Sequence, residues 1–171
     1  MTAITYPDTT ENVTLTYDAI SRLTKATRNA QDVTFAYNNR DRVTTTTDVF
    51  GQITASVYDA AMNRTQMKLN AVRQATHTFD IANRLTRITD EVSGIYNFTY
   101  DNADRRLSMT RPNTVKETLT YDGMSRLTSL KEAKGTTVLR DDRYSYNPAN
   151  QISQIVDPSV TRLSDMTMLT V

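Results

Sequence analysis

The chain has no cysteine and no tryptophan in its 171 residues. Without cysteine there is neither a disulfide framework nor a thiolate metal site, and the redox compartment stays open. His77 is the only histidine, so no histidine pair exists to ligate a metal, and no metal site is expected. Charge of one sign is lacking as well. Lys+Arg number 20 against Asp+Glu 19, evenly spread and with no basic stripe, which argues against a nucleic-acid partner. No apolar run approaches the roughly 18 residues of a membrane span, and Met1 to Asp8 hold no basic patch followed by an apolar stretch. As written, the chain is expected to be cytoplasmic, with no membrane partner. Phosphate-loop, zincin, nucleophile-elbow and kinase motifs are absent, and no cofactor is expected.

What is present favours strands. Threonine is very frequent and there are nine tyrosines. Thr, Tyr and Val suit a pleated, half-buried surface, and helix formers are concentrated nowhere. The expectation is all-β, in one domain long enough to bury a core.

The sequence is also periodic. Tyr17-Asp18, Tyr37-Asn38, Tyr58-Asp59, Phe79-Asp80, Tyr100-Asp101, Tyr121-Asp122 and Tyr146-Asn147 open similar segments, spaced by 20, 21, 21, 21, 21 and 25 residues. Two residues before the aromatic stand Leu15, Phe35, Phe98, Leu119 and Tyr144, the period-two mark of a strand with one buried face; Ser56 and His77 break it. The Asp or Asn after the aromatic can bond the backbone two residues on, as an Asx turn. Four residues past the aromatic come Ser21, Asp41, Met62, Asn83, Asp104, Ser125 and Asn150. Several of these tolerate a left-handed backbone, whereas Met62 predicts a strained or different turn. A basic or amide residue follows (Arg22, Arg42, Asn63, Arg84, Arg105, Arg126, Gln151), then a second strand. Each unit therefore reads strand, four-residue turn, strand. Gly51, Gly94 and Gly135 fall where the chain must turn again.

The string Tyr121-Asp122-Gly123-Met124-Ser125-Arg126-Leu127-Thr128, repeated about every 21 residues, resembles the Rhs/YD-repeat family. The resemblance implies a β-hairpin strip that spirals into a hollow shell. Such shells enclose a toxin polypeptide in bacterial Tc and Rhs toxins, and a related shell occurs in teneurins; family members are often secreted. The family often places glycine four residues after the tyrosine, and this chain never does. Asp157-Pro158-Ser159-Val160 only approximates the family's self-cleavage motif, so self-cleavage is not carried over. Seven hairpins give about fourteen strands and about 67 Å of sheet, too little to enclose a protein cargo alone.

The expected organisation is a partial preceding repeat in residues 1–12, a YD-repeat β domain in 13–160 forming a curved or barrel-like sheet, and a non-repeat tail in 161–171. Another Tyr-Asp is due near residue 167. Codons for Leu163 to Thr170, read two bases on, can restore Phe-Gly-Tyr-Asp-Asp-Ala-Asp, so the tail is expected to be out of frame and the chain a truncated fragment. The source DNA checks this. Uncovered hairpins at both ends predict a homodimer.

Three functions are compatible with these residues. The first is a structural shell fragment. The second is a cryptic hydrolase or lyase whose site forms in a sheet cleft or at a dimer interface, with His77 or the paired carboxylates Asp141 and Asp142 as candidates. The third is a carbohydrate-binding module that presents the column Tyr17, Tyr37, Tyr58, Phe79, Tyr100, Tyr121 and Tyr146. The Asp18/Arg22, Asp80/Arg84 and Asp122/Arg126 pairs read first as turn caps and cross-turn ion pairs. The aromatic column reads first as cross-strand packing, with a cost of about 3–5 kcal/mol for Phe79→Ala if Phe79 is fully buried.

Overall fold

The structure is a computed structural model and describes residues 2–4 and 12–158. The expectations for the tail and for most of the preceding partial repeat lie outside the described residues.

Fifteen strands and no helix are found among the described residues. They are β1 (Thr2–Ile4), β2 (Val13–Tyr17), β3 (Leu23–Arg28), β4 (Gln31–Tyr37), β5 (Val43–Thr47), β6 (Ile53–Tyr58), β7 (Arg64–Leu69) and β8 (Arg73–Phe79). There follow β9 (Leu85–Asp90), β10 (Gly94–Tyr100), β11 (Arg106–Thr110), β12 (Val115–Tyr121), β13 (Leu127–Lys134), β14 (Thr137–Tyr146) and β15 (Ile152–Val156). Every even-numbered strand from β2 onward ends on a repeat aromatic, so each repeat supplies one pair of strands. The chain divides into two compact units, Met1–Asn83 with Ile88–Ser93, and Arg84–Arg87 with Gly94–Val171. In the first, β1 to β8 pair antiparallel in sequence order. In the second, β10 to β15 do the same.

The turn after each aromatic has one design. Asp18 N–H donates to the Arg22 carbonyl (2.9 Å), and Ser21 N–H donates to the Asp18 carbonyl (3.1 Å). All seven residues four past the aromatic have positive φ, from 59° to 67°. Met62, at 67°, adopts the same turn as the others, its N–H donating to the Asp59 carbonyl at 3.1 Å, and carries the strain of a left-handed backbone with a side chain that has no polar group to bond the local backbone. The turns at the other end of the hairpins vary. Asn29 and Ala30 both have positive φ and join Arg28 to its partner Gln31 as a two-residue hairpin loop. Gly51 and Gly135 also sit at positive φ, 76° and 57°.

A bulge recurs beside the turns that follow the six repeat tyrosines. Thr16 pairs with Lys25 but Tyr17 with Leu23, which leaves Thr24 as the extra residue. The same shift falls at Tyr37, Tyr58, Tyr100, Tyr121 and Tyr146. The extra residue sharpens the local twist and leaves one strand's polar group unpaired. Thr24 Oγ1 answers by donating to the Thr16 carbonyl at 3.1 Å, whereas Thr128 at the equivalent position pairs with the Thr120 hydroxyl at 2.9 Å. The 25-residue spacing of the last repeat is taken up in the arms, because β13 has 8 residues and β14 has 10.

The expected buried face is realised only in part. The buried apolar side chains among the described residues are Ala75, Val115 and Leu119, and no large side chain is fully buried. Strands in substantial contact are sequence neighbours, so within each unit the described residues form one layer of sheet with no second described layer packed on it. The clearest alternation is in β12, where Val115, Glu117 and Leu119 are buried and Lys116, Thr118 and Thr120 exposed. The Glu117 carboxylate is held there by Arg106, and Arg111 reaches it at 3.9 Å while binding Glu132 at 2.6 Å.

Candidate functional site

The residues that define the repeat converge at the turn. Asp18 Oδ1 accepts from the backbone N–H groups of Ile20 (3.1 Å) and Arg22 (2.9 Å), while Oδ2 accepts from Arg22 Nε at 2.7 Å. Asp101 with Arg105 and Asp122 with Arg126 repeat this geometry, each with Nε to Oδ2 at 2.7 Å. Where the residue is Asn38 or Asn147, the amide oxygen accepts the same two backbone bonds. Acceptance of the backbone N–H of Arg22, together with the Arg22 guanidinium, holds the Asp18 carboxyl below its usual range, and Asp122 is lowered in the same way by Arg126.

The arginine then crosses to the next repeat. Arg22 Nη1 donates to the Asn38 carbonyl (3.0 Å) and to Asp41 Oδ1 (2.7 Å). Its guanidinium lies over the Tyr37 ring, 4.7 Å from the centroid. Arg84 over Tyr100, Arg105 over Tyr121 and Arg126 over Tyr146 sit at 5.2, 4.8 and 4.6 Å. The tyrosine hydroxyl completes the link by donating back to the previous repeat. Tyr37, Tyr58, Tyr100, Tyr121 and Tyr146 donate to the carbonyls of Leu23, Val43, Leu85, Arg106 and Leu127 at 2.7–2.9 Å. One aromatic, one Asx and one arginine thus form a staple between successive hairpins. The spacing located these residues, but it could not show that the arginine serves two repeats.

Asn63 stands in for the arginine between the third and fourth repeats. Its Nδ2 donates to Asp59 Oδ2 (3.1 Å) and Asn83 Oδ1 (2.9 Å). This shorter side chain precedes Phe79, the repeat aromatic that has no hydroxyl.

The aromatic column is half-buried rather than a packed core. Tyr17 is 40 % exposed, and Phe79, expected to be costly to truncate if fully buried, is only half-buried. His77 lies in β8 with Nδ1 buried and without a hydrogen-bond partner among the described residues. Burial, with the Arg64 charge, pushes its pKa down. Asp141 and Asp142 are both buried but occupy successive positions of β14 and so point to opposite faces. Asp142 is bound by Arg140 and accepts from the Tyr144 hydroxyl at 3.3 Å, whereas Asp141 is bound by Arg143 at 3.2 Å. The two carboxylates are not brought together in one cleft. Among the described residues no three His, Asp or Glu side chains gather as a metal would require.

Residues 79–116 match the RHS Repeat family. No curated protein matches the chain in sequence. Solved structures do match in fold. The crystal structure of TcdB2-TccC3-Cdc42 is 16% identical with a TM-score of 0.76, over 91% of this chain and 10% of that one. TcdB2-TccC3-TEV matches with a TM-score of 0.78 at 16% identity, again over 91% of this chain and 10% of that one. The Photorhabdus luminescens Tc holotoxin pore matches at 0.75 and 17%, over 91% of this chain and 9% of that one. The chain therefore spans about a tenth of the length of the structures it resembles.

Proposed function

Taking as premise that the chain is built of Rhs (YD) repeats, we propose that it is a length of shell wall that, within a larger assembly, helps to enclose a polypeptide. The observation that carries this reading is the staple. Each repeat places its polar side chains in bonds to the next repeat, at the first junction and again at the three junctions after Arg84, Arg105 and Arg126. A sheet with few buried side chains needs such links, because apolar burial alone stabilises a single layer weakly. The same links can be repeated without limit, which is what a wall of many hairpins requires.

A chimera tests the reading. This segment would replace the structurally matching stretch of TcdB2-TccC3, and protease resistance of a polypeptide enclosed by the assembly would be followed. Retained protection is the expected result. A chimera that assembles but leaves the guest open to protease would refute the wall role.

A further inference from the structure

We infer that the third repeat, the hairpin of β6 and β7, is the opening seam of the strip: it comes apart as one unit while the repeats on either side stay paired. Three separate deficits meet there. The first is in the staple. Asn38 stands where Asp18, Asp101 and Asp122 bind the arginine of their own turn. Met62 stands where Asp41, Asp104, Ser125 and Asn150 accept from the arginine of the preceding repeat. The Arg42 guanidinium between them has no hydrogen-bond or ion-pair partner among the described residues, and unlike its four counterparts it does not lie over the next tyrosine. On the other side of the repeat, Asn63 replaces the arginine and reaches only Asn83 Oδ1, at 2.9 Å, while Phe79 has no hydroxyl to return. Side-chain links from the second repeat are reduced to Arg40 on the Ala60 carbonyl at 2.7 Å and the Tyr58 hydroxyl on the Val43 carbonyl at 2.9 Å, beside a short ladder of residues 45–47 against 53–55.

The second deficit is in burial. Ser56 occupies the place that Leu15, Phe35 and Leu119 fill in other repeats, and Arg64 the place of Leu23, Val43 and Leu127. The aliphatic side chains of the hairpin, Ile53, Val57 and Leu69, are exposed, so opening it gives up little apolar contact. The third deficit is a cost that opening relieves. Met62 holds a φ of 67° without a polar side chain to offset it. On the neighbouring strand β8, His77 keeps Nδ1 buried with no hydrogen-bond partner among the described residues, a cost that access to water removes.

Within itself the hairpin is well tied, which makes it one opening unit. At the end away from the aromatic, Asn70 N–H donates to the Ile53 carbonyl and Ile53 N–H donates to Asn70 Oδ1, both at 2.7 Å, and Asn70 Nδ2 binds the Gln52 side chain. At the turn, Asp59 accepts from the Asn63 backbone at 2.9 Å and from its side chain at 3.1 Å. Strands fastened to each other at both ends and loosely to their neighbours open together. Opening bares the facing edges of β5 and β8, whose backbone groups are those a strand from another chain would pair with.

Native-state hydrogen exchange of the full chain, followed by NMR, tests this. Amides of β6 and β7 should exchange together, at least about tenfold less protected than those of β3 and β4 on one side and of β12 and β13 on the other. Two repairs should close the seam. Asn38→Asp combined with Met62→Asp supplies Arg42 with the two carboxylates that Arg22 has in Asp18 and Asp41. Phe79→Tyr supplies a hydroxyl for the Arg64 carbonyl, as Tyr58 does for Val43. Each repair should raise protection in β6 and β7 by about threefold or more and leave β12 and β13 unchanged; Phe79→Tyr keeps the test valid if the double substitution fails to fold. Even protection along the strip, protection that only declines steadily towards the chain ends, or a minimum at β6 and β7 that neither repair raises would each overturn the inference.

Discussion

The Tyr121 hydroxyl donates to the Arg106 carbonyl at 2.9 Å, while its ring carries the Arg105 guanidinium. Tyr121→Phe separates the two contributions. It should keep the stacked cation and lose one neutral hydrogen bond, a destabilisation of about 0.5–1.5 kcal/mol by urea denaturation. Phe79 already omits this bond in the native chain. His77 provides a pH signature. Its folded pKa lies below the ordinary value of 6.5, so folding favours the neutral ring. The stabilisation is complete above pH 6.5 and is lost as the pH falls from there through the folded pKa. Melting temperatures taken from pH 8 to 5 should therefore drop on the acid side of about 6.5, and His77→Gln should remove that drop. A second loss, below the carboxylate value of 3.8, belongs to Asp18 and Asp122, whose folded pKa values are lowered. It should persist in the variant.

At the scale of the strand pair, the turn, the bulge and the arms are separate devices. The turn needs a left-handed residue four past the aromatic, and the bulge accepts different side chains at its extra residue, Thr24, Leu107 or Ser153. The arms absorb changes in length, as β13 and β14 do. The opposite end of the hairpins is also crowded at one point. Gly94 opens β10 with φ of 94°, and a Cβ built on it would lie 2.8 Å from Pro112 Cβ. A proline ring on a turn cannot swing aside as a flexible side chain would. Gly94→Ala should therefore cost more than the ~1 kcal/mol of left-handed strain alone, read as a lower denaturation midpoint with an unchanged slope. A variant as stable as the native chain would show that the turn at Pro112 can give way. Cross-turn ion pairs are formed at Asp18/Arg22 and Asp122/Arg126, as expected.

For the molecule as a whole, the open question is what meets its exposed strands. All five residues of β15 are exposed, with Ile152, Ile155 and Val156 at 54, 57 and 43 %. Among the described residues β15 pairs only with β14, and an exposed apolar strand paired on one side is a template for another chain. We propose that a second copy fills this role, as closed two-fold symmetry allows. Light scattering coupled to gel filtration should give a mass above 19.4 kDa, falling towards it on dilution. A constant monomer mass over a hundredfold dilution would remove the proposal.

Periodicity in the sequence was enough to establish an all-β chain, the hairpin units, the turn after each repeat aromatic and, Met62 excepted, the left-handed residue in it, because these depend on contacts within a few residues along the chain. Local chemistry also sufficed for the Asx caps, since Asp18 or Asn38 bonds backbone only two and four residues away. What Arg22 does for Tyr37, and what Tyr37 returns to Leu23, was settled only when hairpins from different repeats came side by side. Asp141 and Asp142 are sent to opposite faces by the strand's own alternation, but the arginine that holds each was seen only in the structure. A one-dimensional pattern records which residue types recur. The second partner of each stapling arginine lies 16 to 24 residues away, and only the pairing of strands brings it within bonding distance.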